Sequence, residues 1–248
     1  LNLINKDYNN MGEVRINKFL ASCGAASRRE ADKIVSEGRV TINGEIATTG
    51  SKVSDGDIVT LNGKVIKPNE DKVVLAYYKP VGVTVTEKDA HAARTIASEI
   101  KYPVRVTYAG RLDKDSEGLL LLTNDGDLID AVMRGANMHD KEYIVKTDKK
   151  VDESFADKMR SGIYLKELKV TTRACQVEIL GPYTFSIILT QGLNRQIRRM
   201  CETLGYKVKS LKRIRVMNIK LNNLKPGEYR ELIEEERREL YRLAGLHE

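Results

Sequence analysis

Ala109-Gly110-Arg111-Leu112-Asp113-Lys114-Asp115-Ser116-Glu117-Gly118 is a charged segment held between two apolar runs, Val104 to Ala109 and Leu119 to Thr123. Short apolar runs next to glycine predict strands. A polar loop presented by a rigid frame is where functional side chains collect. Asp113, Asp115 and Glu117 are its carboxylates, and Arg111 and Lys114 beside them argue for ionised, paired groups. Spacing does not choose among the three acids, and a solvated charged turn would read the same way.

The pattern continues outward on both sides. Val73 to Tyr78 and Val83 to Thr86 are strand-like, separated by Lys79-Pro80-Val81-Gly82. Asp127 to Arg134 and Asp152 to Met159 carry helical patterns. Val170 to Leu180 and Thr184 to Gln191 predict strands joined at Gly181-Pro182. With these helical and strand-like segments, residues 71–248 read as a larger α+β domain.

A second segment, Gln191-Gly192-Leu193-Asn194-Arg195-Gln196-Ile197-Arg198-Arg199-Met200-Cys201, begins as a loop and becomes a helix that ends before Gly205. Asn194 is the expected N-cap. At about 100° per residue, Ile197, Met200, Cys201 and Leu204 form an apolar stripe. Arg195, Arg199 and Glu202 lie roughly opposite, and Arg198 falls on the flank. An arginine at such a boundary is partly buried and needs a carboxylate or phosphate partner. From Arg195 to Arg215 there are eight cations against one anion, Glu202, an excess equal to the whole chain's +7. Clustered positive charge favours a polyanionic partner.

Residues 14–70 read as a separate unit. Ile16, Phe19, Leu20 and Cys23 fall at helical spacing, ending at Gly24. Ser27 and Glu30 form a capping box for a second helix that buries Ala31, Ile34 and Val35 and stops at Gly38. Asn43-Gly44 and Asn62-Gly63 predict hairpin turns. Arg28 and Arg29 stand at a helix N-terminus, where the dipole disfavours cations. A phosphate there would resolve the conflict, and so would two side chains swung into water. Pro68-Asn69-Glu70-Asp71 is a polar joint.

Several function classes find no support in the 248 residues. No apolar run approaches the roughly 18 residues of a membrane span. Residues 1–13 read as a tail without the apolar stretch of a signal peptide, and Met11 is a candidate start. Cys23, Cys175 and Cys201 are far apart and odd in number, as expected of ordinary thiols in a reducing cytoplasm. His91, His139 and His247 are scattered, so no metal site is expected. No phosphate-binding glycine loop is present, and no cofactor is expected.

Two resemblances sharpen these readings. Val14-Arg15-Ile16-Asn17-Lys18-Phe19-Leu20, Ser27-Arg28-Arg29-Glu30-Ala31-Asp32 and Gly38-Arg39-Val40-Thr41-Ile42-Asn43-Gly44 resemble the alpha-L RNA-binding module. That likeness implies that Arg15, Lys18, Arg28, Arg29 and Arg39 face RNA. Gly110-Arg111-Leu112-Asp113, with Lys114 to Leu120 and Thr123-Asn124-Asp125-Gly126, resembles the active-site signature of bacterial ribosomal RNA pseudouridine synthases. Lys141-Glu142-Tyr143 resembles that family's second motif and Gln191 to Met200 its third. Asn137, His139-Asp140-Lys141-Glu142-Tyr143 and Gln191-Gly192-Leu193-Asn194 point to its large-subunit branch. The resemblance spans about residues 14–230. It implies a mixed, mainly antiparallel sheet flanked by helices.

The family's chemistry detaches uracil from ribose, turns it, and rejoins the sugar to ring carbon C5, without redox change, metal or nucleotide. The resemblance assigns the nucleophile to Asp113. Its carboxylate attacks the ribose, attacks the ring, or deprotonates the sugar, and the sequence leaves these routes open. Arg198 is the expected cationic partner of Asp113. Tyr143 is expected to stack on the target base, although a tyrosine there also suits a packing role. The nucleotide must flip out. Arg111, Leu112, Lys114, Leu193, Asn194, Arg195 and Gln196 are expected to hold RNA around it. The expected partner is large-subunit ribosomal RNA. Transfer RNA is an alternative substrate, and a monomer is the default. The rival readings are a non-catalytic RNA-binding assembly factor and a metal-dependent nuclease built on Asp113, Asp115 and Glu117.

Overall fold

The computed structural model describes residues 12–69, 71–86, 94–134 and 138–246. The tail through Met11, Glu70 of the joint, His91, Asn137 and His247 lie outside them. The chain divides into two compact units. One runs to Val73 and takes in Pro103–Val106 and Asn124–Gly126, and the other holds the remainder.

In the first unit, β1 (Val14–Arg15) leads into α1 (Ile16–Ser22) and α2 (Arg28–Ser36). Then come β2 (Val40–Ile42), β3 (Glu45–Ile46), β4 (Lys52–Val53), β5 (Val59–Leu61) and β6 (Lys64–Val65). The antiparallel order β3-β2-β5-β6 forms one sheet, and β1 pairs with β4. The capping box forms: the Ser27 hydroxyl accepts from the Glu30 N–H, and the Glu30 carboxylate accepts from the Ser27 N–H. The acid at this helix start is therefore the chain's own Glu30, beside Arg28 and Arg29. Asn43 and Asn62 take φ of 53° and 51° and each precedes a positive-φ glycine, the backbone of a tight hairpin turn. Ile16, Leu20, Ala31, Val35, Val40 and Val59 close the core. The Asn124 side chain pins the joint. It accepts from the Val73 N–H at 2.8 Å and donates to the Asp71 carbonyl at 2.8 Å.

The second unit contains β7 (Val74–Lys79), α3 (Ile96–Glu99), β8 (Thr107–Ala109), β9 (Glu117–Thr123) and α4 (Gly126–Met133). It continues through β10 (Lys141–Thr147), α5 (Glu153–Arg160), β11 (Tyr164–Leu165), β12 (Val170–Thr171), β13 (Gln176–Gly181) and β14 (Thr184–Leu189). It closes with α6 (Gln196–Thr203), β15 (Val208–Val216), β16 (Ile219–Lys220), β17 (Tyr229–Glu231) and α7 (Glu234–Leu243). The main sheet runs β13-β14-β10-β15-β9-β7-β17, with β16 on β15 and β8 on β9. Its pairings are antiparallel except β15 with β9. This is the mixed, mainly antiparallel sheet expected of an α+β fold. All six residues of β7 are buried, which explains why its sequence reads as a continuous apolar run rather than an alternation. One core packs α4 and α7 on β7, β9 and β16, and the other packs α5 and α6 on β10, β13 and β14.

Three local expectations need correction. Val83 to Thr86 is not a strand: Gly82 turns at φ 92° and its N–H bonds the Lys114 carbonyl, leaving one bridge between Thr84 and Thr95. Val170 to Leu180 is two strands. Thr172 and Cys175 give their N–H groups to the Ile163 and Arg160 carbonyls, which diverts the chain between β12 and β13. The N-cap of α6 is Arg195, not Asn194. The Asn194 carbonyl and side-chain oxygens instead accept from the Arg199 guanidinium.

Candidate active site

The loop from Gly110 to Ser116 joins β8 to β9. It is braced internally, since the Ser116 N–H bonds the Asp113 carbonyl at 3.1 Å and Ser116 is buried. Its far end sits where β9 meets β15 in the sheet's parallel pairing, Gly118 opposite Arg213. Gly118 has φ of 110°, and a Cβ there would lie 2.2 Å from the Arg213 carbonyl oxygen. Only glycine fits such a backbone approach. The Arg213 side chain is buried and donates from Nε to the Leu119 carbonyl at 2.7 Å and from Nη1 to the Arg111 carbonyl at 3.3 Å.

On this frame Asp113 and Asp115 meet the start of α6. Arg195 lies 3.6 Å from Asp113 Oδ2 and bonds both oxygens of Asp115 at 3.1 Å. This fork-to-fork pairing is the arrangement that suits guanidinium and carboxylate. Arg195 is in the left-handed region, φ 50° and ψ 35°, a conformation that costs a non-glycine residue about 1–2 kcal/mol. The surrounding contacts hold it there. Arg198 is the more buried arginine. Its Nη2 donates to the Asp115 carbonyl at 2.9 Å and to Ser116 Oγ at 3.1 Å, and its Nε lies 3.4 Å from Asp115 Oδ2. Burial works to raise the Asp115 carboxyl, but the Arg195 hydrogen bond and the charges of Arg198 and Arg195 outweigh it and hold it below the usual range. The expected partnership of Arg198 with Asp113 is therefore corrected: Arg195 pairs with Asp113, and Arg198 secures the loop through Asp115 and Ser116. The left-handed turn at Arg195 brings its guanidinium round, which helical spacing alone does not foresee.

Asp113, Lys114, Asp115 and Arg195 line a cavity of about 360 Å³ with Val81 and Gly82. Arg111, Lys114, Asn194 and Arg195 are exposed, and Leu193 is half-buried. Leu112 and Gln196 do not fit the expected role of holding RNA. Leu112 is buried, and buried Gln196 accepts from the Leu193 N–H and donates to Gln191, tying its own loop. Tyr143 is half-buried against the α5–α6 core, in register with Arg213 on one side and Ile187 on the other. In the first unit Arg15, Arg28, Arg29 and Arg39 are exposed and Lys18 is half-buried. Arg39 also bonds Asn62 and Glu37.

Two residues that the sequence did not single out belong here. Lys79 has no solvent exposure, and its ammonium donates to the Pro80 carbonyl at 2.9 Å. Burial pulls its pKa down to about 8, against the opposing pull of Asp113, Asp115 and Glu117. Arg213 is the other. A lysine closing an apolar strand and an arginine two residues after Leu211 in a strand were the available signals. Among the described residues no group of three or more His, Cys, Asp or Glu side chains is placed to hold a metal ion.

The family model for RNA pseudouridylate synthase matches residues 73–203, which include every residue of this cavity, and the S4 domain model matches residues 14–59. The chain belongs to the RNA pseudouridylate synthase family. This synthase is 45% identical over 232 residues to the dual-specificity RNA pseudouridine synthase RluF of Escherichia coli (strain K12), covering 93% of this chain and 79% of that one. It is 36% identical to ribosomal large subunit pseudouridine synthase B of Bacillus subtilis (strain 168), covering 93% and 96%. A crystal structure of a pseudouridylate synthase superposes with a TM-score of 0.69 at 30% identity, over 92% of this synthase and 99% of the other. The chain is thus an RNA pseudouridine synthase with an S4 domain at its N-terminal side. No helix among the described residues is long and apolar enough to cross a membrane.

Proposed function

We propose that this synthase isomerises particular uridines of large-subunit (23S) ribosomal RNA, with Asp113 as nucleophile on a nucleotide flipped out of its stack. One observation carries the reading: of the two aspartates that line the cavity, Asp115 is bonded by two arginines, whereas Asp113 has a single guanidinium, 3.6 Å from Oδ2. Arg195 is the counter-charge of the Asp113 carboxylate. The ribosomal substrate is supported by the names of the relatives in Escherichia coli and Bacillus subtilis.

The reaction balances without an external reagent. The bond from ribose C1′ to uracil N1 breaks, the base turns, C1′ bonds to C5, the C5 proton leaves and N1 gains one. Asp113 supplies the electron pair that starts this, at the sugar, at the ring, or by taking a sugar proton. Flipping costs a few kcal/mol, least for loop and bulge nucleotides. Tyr143 stacks on the base. Arg111, Lys114 and Asn194 hold the flanking backbone, with Arg198 acting through the loop. Arg15, Lys18, Arg28, Arg29 and Arg39 form a second, tethered grip that raises effective concentration. The protein works as a cytoplasmic monomer.

A second substrate is favoured by one observation, the dual-specificity name of the Escherichia coli relative, and transfer RNA is the alternative RNA with accessible loop uridines. The test is to treat unmodified 23S RNA and transfer RNA with the protein and map products by carbodiimide-dependent reverse-transcription stops. A stop in 23S RNA is expected. Stops confined to transfer RNA would overturn the ribosomal assignment.

A further inference from the structure

We infer that Arg213 is a positioning residue that sets the spacing between Asp113 and Tyr143. The inference rests on the reading of Asp113 as nucleophile. Among the described residues, Arg213 is where the supports of both meet. Its backbone is in register with Tyr143 of β10 on one side and with Gly118 of β9 on the other. Its side chain then reaches past Gly118 and ties down the carbonyls of Arg111 and Leu119. Those carbonyls bracket the loop that carries Asp113, one on each side of it.

The chemistry of the side chain suits this task. A guanidinium is a rigid planar fork that donates in two directions at once, which an ammonium on a flexible stem does not reproduce. The residue is 3% exposed, so its donors are not shared with bulk water, and leaving one of them unsatisfied would be costly. The close approach at Gly118 removes the slack that would let the loop shift relative to β15. Arg213 touches no reacting atom in this account and acts through the backbone of the loop. A misplacement of about 1 Å of a catalytic group costs on the order of 100-fold in rate, so a residue fixing that distance acts on turnover rather than on RNA affinity.

The test compares wild type, Arg213→Met and Arg213→Lys by single-turnover tritium release from C5-labelled RNA, RNA binding and thermal melting. For Arg213→Met the expected result is a rate at saturating RNA lower by about 100-fold, with RNA affinity changed less than about threefold. Added methylguanidinium should restore part of the rate. Arg213→Lys, which keeps the charge but not the fork, should fall between. A folded Arg213→Met at the wild-type rate overturns the inference. So does a rate loss that tracks lost affinity and melting temperature with no rescue, which is what a merely structural residue gives. If Arg213→Met does not fold, Arg213→Lys carries the test, and a wild-type rate there overturns the role of the fork. Asp113→Ala, run beside them, separates the premises: turnover by Asp113→Ala removes the nucleophile reading whatever the Arg213 variants do.

Discussion

Lys79 shows at the scale of one residue how the site is charged. A buried ammonium is stable only if hydrogen bonds and opposite charge replace its water. The Pro80 carbonyl and the acids at 113, 115 and 117 do so in part, and its pKa settles at about 8 against 10.5 for the free group. The consequence for stability follows from proton counting. Above about pH 8 the folded protein releases this proton while the unfolded chain keeps it until about 10.5, so the unfolded state binds more protons and stability rises with pH. Melting measured from pH 8 to 9.5 should show wild type gaining stability relative to Lys79→Met. Parallel curves would mean that Lys79 does not titrate there. Lys141 is likewise pulled to about 8, by burial first and then by Arg213, and it contributes equally to both proteins. Lys79 was not legible as part of the site, because a charge at the end of an apolar strand does not reveal which loop it will lie under. The pairing of Arg195 with Asp113 was hidden for a similar reason: it depends on a left-handed residue.

At the scale of elements, the junction of β9 and β15 matters most. Its parallel pairing needs a residue without Cβ at 118, where φ is 110° and the Arg213 carbonyl oxygen would stand 2.2 Å away. Gly118→Ala should destabilise the fold by more than about 3 kcal/mol, through backbone strain together with the clash. Denaturant unfolding measures this, and a change under about 1 kcal/mol would show that the junction yields. Elements fixed by local chemistry could be read directly from the sequence: the Ser27–Glu30 capping box and the two Asn-Gly turns form as expected. Elements decided by distant partners could not. The break between β12 and β13 is made by carbonyls of Ile163 and Arg160, and the absence of a strand after Gly82 by the Lys114 carbonyl. Periodicity contains no information about either.

At the scale of the whole molecule, two groups of cations are offered to RNA: Arg15, Lys18, Arg28, Arg29 and Arg39 in the S4 unit, and the Arg195 to Arg215 stretch in the second unit. If the first group grips phosphates, removing Arg28 and Arg29 together should weaken RNA binding. It should also flatten the dependence of log K on log salt by roughly 0.7–0.9 for each phosphate no longer neutralised. The single-turnover rate at saturating RNA should not change. An unchanged salt slope would assign those arginines to another task.

The central claim is that this chain uses Asp113 to isomerise uridine in RNA. It is tested most directly by tritium release from ribosomal RNA labelled at uracil C5, with wild type and Asp113→Ala side by side and no added cofactor. The expected result is release by wild type, none by Asp113→Ala, and RNA binding by both. Release by Asp113→Ala at the wild-type rate would contradict it.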